Sequence, residues 1–246
     1  MKKLSFQINT DKSTDALIIK LNDFFINNDS FNNWTIKEYF TGDFLRVDCE
    51  KFDIDQFNQI LKTTKNATVY YGSPDGNIKM SLTKRIDQGV PPFMVEIIFP
   101  ESELTPSKID YLWQHLEEFY WELGGEGVLY AKVGNMKDFQ TYGKQNNFPK
   151  AVFSGGERYA WRLLVHQDHY LDYYTKETYL AAPYIKIEER ENNNLYIQTY
   201  NELFKYLEEP NISHIIHLLT FLAPHKKSIE ETKAHRVKVH AKKNST

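Results

Sequence analysis

Two hydrophobic periods alternate through the first seventy residues, and a fold that uses both must contain strands and helices in succession. Leu4, Phe6 and Ile8 recur every second residue, as a strand with one buried face requires. Ser13 then stands as an N-cap ahead of Leu17, Leu21, Phe24 and Phe25 at helical spacing. Extended runs follow at 34–40 and 44–49, separated by Thr41-Gly42-Asp43, whose glycine permits a tight reversal, so they predict a hairpin. Asp53 with Gln56 resembles a capping box, and Ile54, Phe57, Ile60 and Leu61 form the stripe of a second helix before an aromatic strand at 68–72. The order β-α-β-β-α-β is a split βαβ, or ferredoxin-like, arrangement. Both helices carry one apolar stripe and are expected on the same face of the sheet.

Turn chemistry extends this reading. Ser73-Pro74-Asp75-Gly76 presets a reversal, so 77–86 should return antiparallel to 68–72, and a further strand is expected at 93–99. Thr105 caps and Pro106 opens a long helix with Ile109, Leu112, Leu116, Phe119 and Leu123 on one face, stopped by Gly124-Gly125. A strand at 127–133 completes a second strand-helix-strand unit, packed on the first sheet or continuing it. Residues 136–159 read as a short helix and a loop, 160–165 as a strand, 184–189 and 195–199 as a hairpin around Asn192-Asn193-Asn194, and 211–222 as a helix after Pro210. The fold class is therefore α+β, with residues 1–224 as one domain built of two βαβ-like halves, about 1–90 and 91–224. Residues 225–246 lack an apolar pattern and are expected to form a flexible basic tail.

Charge divides along the same line. The chain of 246 residues holds 30 Lys and Arg against 33 Asp and Glu, a formal net of −3. The last 22 residues contribute seven positive and two negative charges, a local +5, so residues 1–224 carry 23 positive and 31 negative charges, a net of −8. A polybasic role for the body is excluded, while clustered glutamates at Glu188, Glu189 and Glu191 suit a solvated face or a dock for a basic protein. The single cysteine, Cys49, rules out an internal disulfide framework and thiolate zinc sites, which suits a reducing cytoplasm. The amino terminus has no signal-peptide core, and the longest apolar stretch, 212–223, is broken by histidines and too short to span a bilayer. A soluble cytoplasmic protein is expected.

No motif in the chain carries the full signature of a reaction. Gly124-Gly125-Glu126-Gly127 follows a helix and precedes a strand, the reverse of a phosphate-binding loop. Ser154-Gly155-Gly156-Glu157 lacks a nucleophile elbow. His166-Gln167-Asp168-His169, with Asp172 close by, is the most metal-like cluster, yet in an extended strand its two histidines point to opposite faces. His214 with His217, and His115 with Glu118 and Glu122, fit partly exposed helix faces better than ligand sets. The alternation Leu45, Val47, Cys49 puts the thiol on an apolar side, as a packing group. Tyr39, Tyr70 and Tyr71 could serve a sheet that binds single-stranded RNA, but basic residues are thin around them. No catalytic residue, metal or cofactor is expected. Tyr170, Tyr173, Tyr174, Tyr179 and Tyr184 offer rigid amphipathic contact area of the kind protein-binding surfaces use.

The closing part of the chain, Trp161-Arg162-Leu163-Leu164, then Tyr179-Leu180-Ala181-Ala182-Pro183, the hairpin over 185–200 and a terminal helix, resembles bacterial immunity proteins that neutralise polymorphic or contact-delivered toxins. The resemblance is one of layout, size and acidity and carries over no functional residue by position. It implies a non-catalytic cytoplasmic protein that binds a cognate toxin, of basic surface if the acidity serves the contact. Glu188, Glu189, Glu191, Tyr173 and Tyr174 are the expected partner-binding residues. Two other readings stay open: an α+β enzyme or small-ligand protein centred on His166, Asp168 and His169, and an RNA-associated split βαβ module. Neither membrane nor nucleic acid is the expected partner.

Overall fold

The computed structural model of the chain describes residues 3–10, 35–41, 46–48, 66–72, 79–85, 93–133, 136–146 and 160–243. They are α+β and divide into two compact units, Lys3–Leu129 and Tyr130–Thr246. In the first unit, β1 (Lys3–Thr10), β2 (Thr35–Thr41), β3 (Arg46–Asp48), β4 (Asn66–Gly72), β5 (Lys79–Arg85) and β6 (Phe93–Pro100) form an open antiparallel sheet. Its strand order is β3-β2-β4-β5-β6-β1. The register aligns Ile8, Val95, Leu82, Val69 and Tyr39 in one row across the strands, and Gln7, Glu96, Ser81, Tyr70 and Glu38 in the next. Period-two patterning gives β1 and β6 one buried apolar face and a more polar opposite face, where Ser5, Gln7 and Glu96 stand beside Met94 and Ile98. Leu4, Phe6, Ile8, Val95, Ile97 and Phe99 are buried, with Phe6 edge-on to Phe99 at 6.0 Å. On the polar face Ser5 donates to Glu96 Oε1 at 2.7 Å.

The hairpin of β2 and β3 and the return of β5 on β4 match the sequence expectations. The strand order does not reproduce a split βαβ among the first four strands. β1 pairs antiparallel with β6, so β4, β5 and β6 separate it from β2. Alternation tells which side of a strand is buried; it carries no information about which neighbour satisfies its backbone. The two helices expected near Leu17 and Phe57 lie outside the described residues. β6 bonds both β5 and β1 along its length and continues the N-terminal sheet.

Helix α1 (Pro106–Glu122) starts as its sequence dictates, with Thr105 Oγ1 accepting the Lys108 amide at 3.3 Å and proline in the first turn. Ile109, Leu112, Leu116, Phe119 and Leu123 are all buried. The helix ends in a Schellman motif: Gly125 N bonds Tyr120 O at 3.1 Å, Gly124 N bonds Trp121 O at 2.8 Å, and Gly124 takes φ 95, a region glycine enters without a Cβ clash. The Tyr120 hydroxyl lies 2.9 Å from the carbonyls of both Gly125 and Gly127 and accepts the Gly127 amide at 3.2 Å. Burial pushes this phenol far above its ordinary value. Strand β7 (Gly127–Val133) follows at once.

The second unit contains α2 (Met136–Gln145), β8 (Arg162–His166), α3 (Gln167–Tyr170), α4 (Lys176–Ala181), β9 (Lys186–Arg190), β10 (Asn194–Gln198), α5 (Asn211–Leu222) and α6 (Ile229–Lys243). β10 pairs antiparallel with both β8 and β9. Helix α5 buries Ile212, Ile215, Leu218, Leu219 and Leu222. Asn211 fastens its start, donating to Lys205 O at 3.2 Å and accepting the Asn201 amide at 3.4 Å. The segment expected to be a flexible tail is, over 229–243, helix α6. Ser228 and Glu231 cap it reciprocally, Glu231 N bonding Ser228 Oγ at 3.2 Å and Ser228 N bonding Glu231 Oε2 at 2.8 Å.

Candidate functional site

The expected partner-binding glutamates fall on or beside β9, the edge strand of the second unit's order β8-β10-β9. Asn192 and Asn193 close the hairpin at φ 52 and 56, which asparagine tolerates, and the Asn194 amide braces the turn from Glu191 O and Asn192 O at 3.2 and 3.3 Å. Alternation gives the strands two faces. Leu163, Val165, Leu195 and Ile197 are buried on one, with Ile187 and Glu189 in the same rows. The opposite face aligns Arg162 with Gln198 and Lys186, Leu164 with Tyr196 and Glu188, and His166 with Asn194 and Arg190.

The three glutamates differ in their surroundings. Glu188 is flanked along its own strand by Lys186 Nζ at 2.7 Å and Arg190 Nη2 at 2.8 Å. The Lys186 hydrogen bond, helped by the Arg190 charge, holds its carboxyl below the usual carboxylate range. Both cations also lie near the Tyr196 ring, 5.5 and 5.3 Å from its centroid. Glu189 bonds Lys176 of α4, which raises the lysine pKa. Glu191 is exposed at the turn. The edge therefore alternates cation, acid and cation on one side, with Glu188 between Lys186 and Arg190.

The tyrosine region also departs from expectation. Tyr174 is 1% exposed and packs edge-on to Tyr179 at 5.4 Å, so its ring belongs to the core. Tyr179 meets Tyr170 at 5.4 Å and stacks with Tyr184 at 6.5 Å, a packed aromatic row. Tyr173 is half-buried, and its carbonyl accepts the Lys227 amide at 2.9 Å. Composition placed these rings near a surface because nearby acids and a lysine looked solvated; burial of Tyr170, Tyr174 and Tyr179 reflects the short turns that fold α3 and α4 together. The exposed apolar groups here are Leu180 and Ile185, each 42% accessible. Nothing in their local sequence distinguishes them from buried aliphatic residues. They flank Pro183, where the chain passes from α4 to β9.

The other candidates are placed as follows. His166 ends β8 and accepts the Asp168 amide through Nδ1 at 3.3 Å, with Asp168 Oδ2 3.6 Å away. His169 lies on α3, so the two histidines sit on different elements. His115 bonds Glu118 at 3.0 Å on a flank of α1. Burial, then the His217 charge, lowers the His214 pKa, against a hydrogen bond to the Pro183 carbonyl. Gly124-Gly125 is the helix stop described above. Among the described residues no group of three or more His, Cys, Asp or Glu is placed to hold a metal ion, and no helix is long and apolar enough to cross a membrane. Register puts Tyr70 opposite Glu38 and Ser81, and Tyr39 opposite Val69. Cys49 and Ser154-Gly155-Gly156 lie outside the described residues. No protein-family model matches the chain, and no curated protein matches it significantly.

Proposed function

We propose that this chain is a non-catalytic binding protein acting in the bacterial cytoplasm, an immunity protein that covers the working surface of a cognate toxin. The observation that carries the reading is the α4–β9 edge: two exposed aliphatic side chains, Leu180 and Ile185, beside an edge strand with a patterned row of charge. Apolar anchors inside a polar rim are the usual anatomy of a protein-binding patch, and β9 offers backbone donors and acceptors on its outer side. The net of −8 over residues 1–224 would speed encounter with a basic toxin. Glu188 is neutralised along its own strand and Glu189 ties β9 to Lys176 of α4, so neither stands as a free charge for steering. The enzyme reading rests on His166, Asp168 and His169 and has a weaker warrant, since His166 is spent on capping α3.

The test is to find whether a toxin gene lies beside this one and, with that toxin, to measure toxicity rescue and then stopped-flow binding. Association is expected to slow as salt rises to physiological strength, where the Debye length is about 8 Å. Leu180→Asp and Ile185→Asp are expected to raise the dissociation rate, and charge reversal at Glu188, Glu189 and Glu191 to weaken the complex. No protection and no complex would overturn the immunity reading. A complex indifferent to both aliphatic substitutions would move the interface elsewhere.

A further inference from the structure

Helix α6 is held to the body by polar bonds that converge on one six-residue stretch. Lys227 donates through its amide to Tyr173 O at 2.9 Å and through Nζ to Leu171 O. Thr232 Oγ1 donates to Asp172 O at 2.7 Å, His235 Nε2 meets Asp168 O at 3.2 Å, and Arg236 Nε donates to Asp172 Oδ2 at 2.9 Å. Thr232, His235 and Arg236 share one helix face by spacing. Val237, on the opposite side by the same spacing, is 67% exposed, and Ile229 in the first turn is 68% exposed. The acceptors, four carbonyls and a carboxylate between 168 and 173, make a compact electronegative cradle at the end of α3.

Arg236 fills that cradle incompletely. A guanidinium can bind a carboxylate with two parallel N–H bonds, one to each oxygen. Here it engages Oδ2 alone, while Asp172 is 6% exposed and its Oδ1 is buried without a hydrogen-bond partner. A buried acceptor left unmade is unfavourable and remains available to a better-fitting donor.

We infer that residues 168–173 form a recognition site for an arginine-bearing basic protein segment, which α6 occupies as an intramolecular stand-in and leaves when such a segment engages both Asp172 oxygens. Charge fits this exchange: the occupant comes from a segment of net +5 and the cradle from a body of net −8. A tethered helix competes at high effective concentration, so a free competitor must be supplied in the millimolar range or fit better than Arg236 does. The inference takes its natural competitor, a basic toxin, from the function proposed above, but the site itself can be tested without one.

The experiment is hydrogen–deuterium exchange of the α6 amides in the full-length protein. The probes are a synthetic peptide of residues 226–243 and the same peptide with Arg236→Lys. The arginine peptide is expected to accelerate α6 exchange several-fold more than the lysine peptide at equal concentration, a difference that Asp172→Asn in the protein abolishes. Independently, Arg236→Gln in the full chain should accelerate α6 exchange by about tenfold, the weight of one hydrogen bond to a charged group, while exchange in α1 stays unchanged. Equal action of the two peptides, or unaltered α6 exchange in Arg236→Gln, overturns the proposal even if toxin neutralisation holds. Toxin neutralisation can fail with both peptide results intact, so the two failures are distinguishable.

Discussion

Replacing Tyr120 by phenylalanine removes one oxygen atom from the interior and leaves the ring in place. That oxygen lies 2.9 Å from two carbonyls and 3.2 Å from the Gly127 amide, in a side chain 1% exposed. One hydroxyl proton cannot serve both carbonyls fully, so the substitution withdraws about one donor and one acceptor from buried backbone. Leaving a buried polar group unsatisfied costs about 1–3 kcal/mol. Because one hydroxyl is shared among three groups, each loss lies toward the lower end of that range, and the sum is expected at about 2–3 kcal/mol. At about 2–4 °C per kcal/mol for a chain of this size, the melting temperature should fall by about 4–12 °C. Urea unfolding followed by tryptophan fluorescence would report it, since Trp113 and Trp121 lie on the same helix. The ring is retained, so cavity formation adds little. A loss below about 0.5 kcal/mol would refute the assignment of this hydroxyl as the clamp of the helix end.

Two further outcomes follow from the second unit. Leu219→Ala on α5, where the side chain is fully buried, should cost about 2–5 kcal/mol in urea denaturation. His214 has a lowered native pKa, so its unfolded form binds a proton first; stability should fall as pH drops from about 6.5 through the native value, and His214→Gln should flatten that loss in urea midpoints measured across the range.

Features determined by neighbours in the chain were legible in the sequence. Thr105-Pro106 and Gly124-Gly125 bound α1 because caps and positive φ are properties of a few adjacent residues, and the asparagine run marks the β9–β10 turn for the same reason. The pairing of β1 with β6 was not, since Leu4 meets Phe99 across a separation that periodicity does not encode. Helix α6 was hidden because its attachment uses Lys227, Thr232, His235 and Arg236 on backbone carbonyls and a carboxylate, leaving no apolar stripe to read. Ser228 with Glu231 was the local sign of its start. Tyr174 shows the converse: a residue type common at interfaces is here placed in the core by turns whose geometry involves α3 and α4 together.

The charge row on β9 also bears on what this protein does to itself at high concentration. An exposed edge strand invites a second copy to pair with it, and the natural antiparallel dimer would centre on Glu188. In that register Glu188 would face Glu188 of the second copy, and Lys186 would face Arg190, so every pair along that side would bring like charges together. Each copy instead satisfies Glu188 within its own strand, between Lys186 and Arg190. The edge thereby discourages its own copies from stacking into a continuous sheet, while a strand of acid, base and acid would meet no such repulsion.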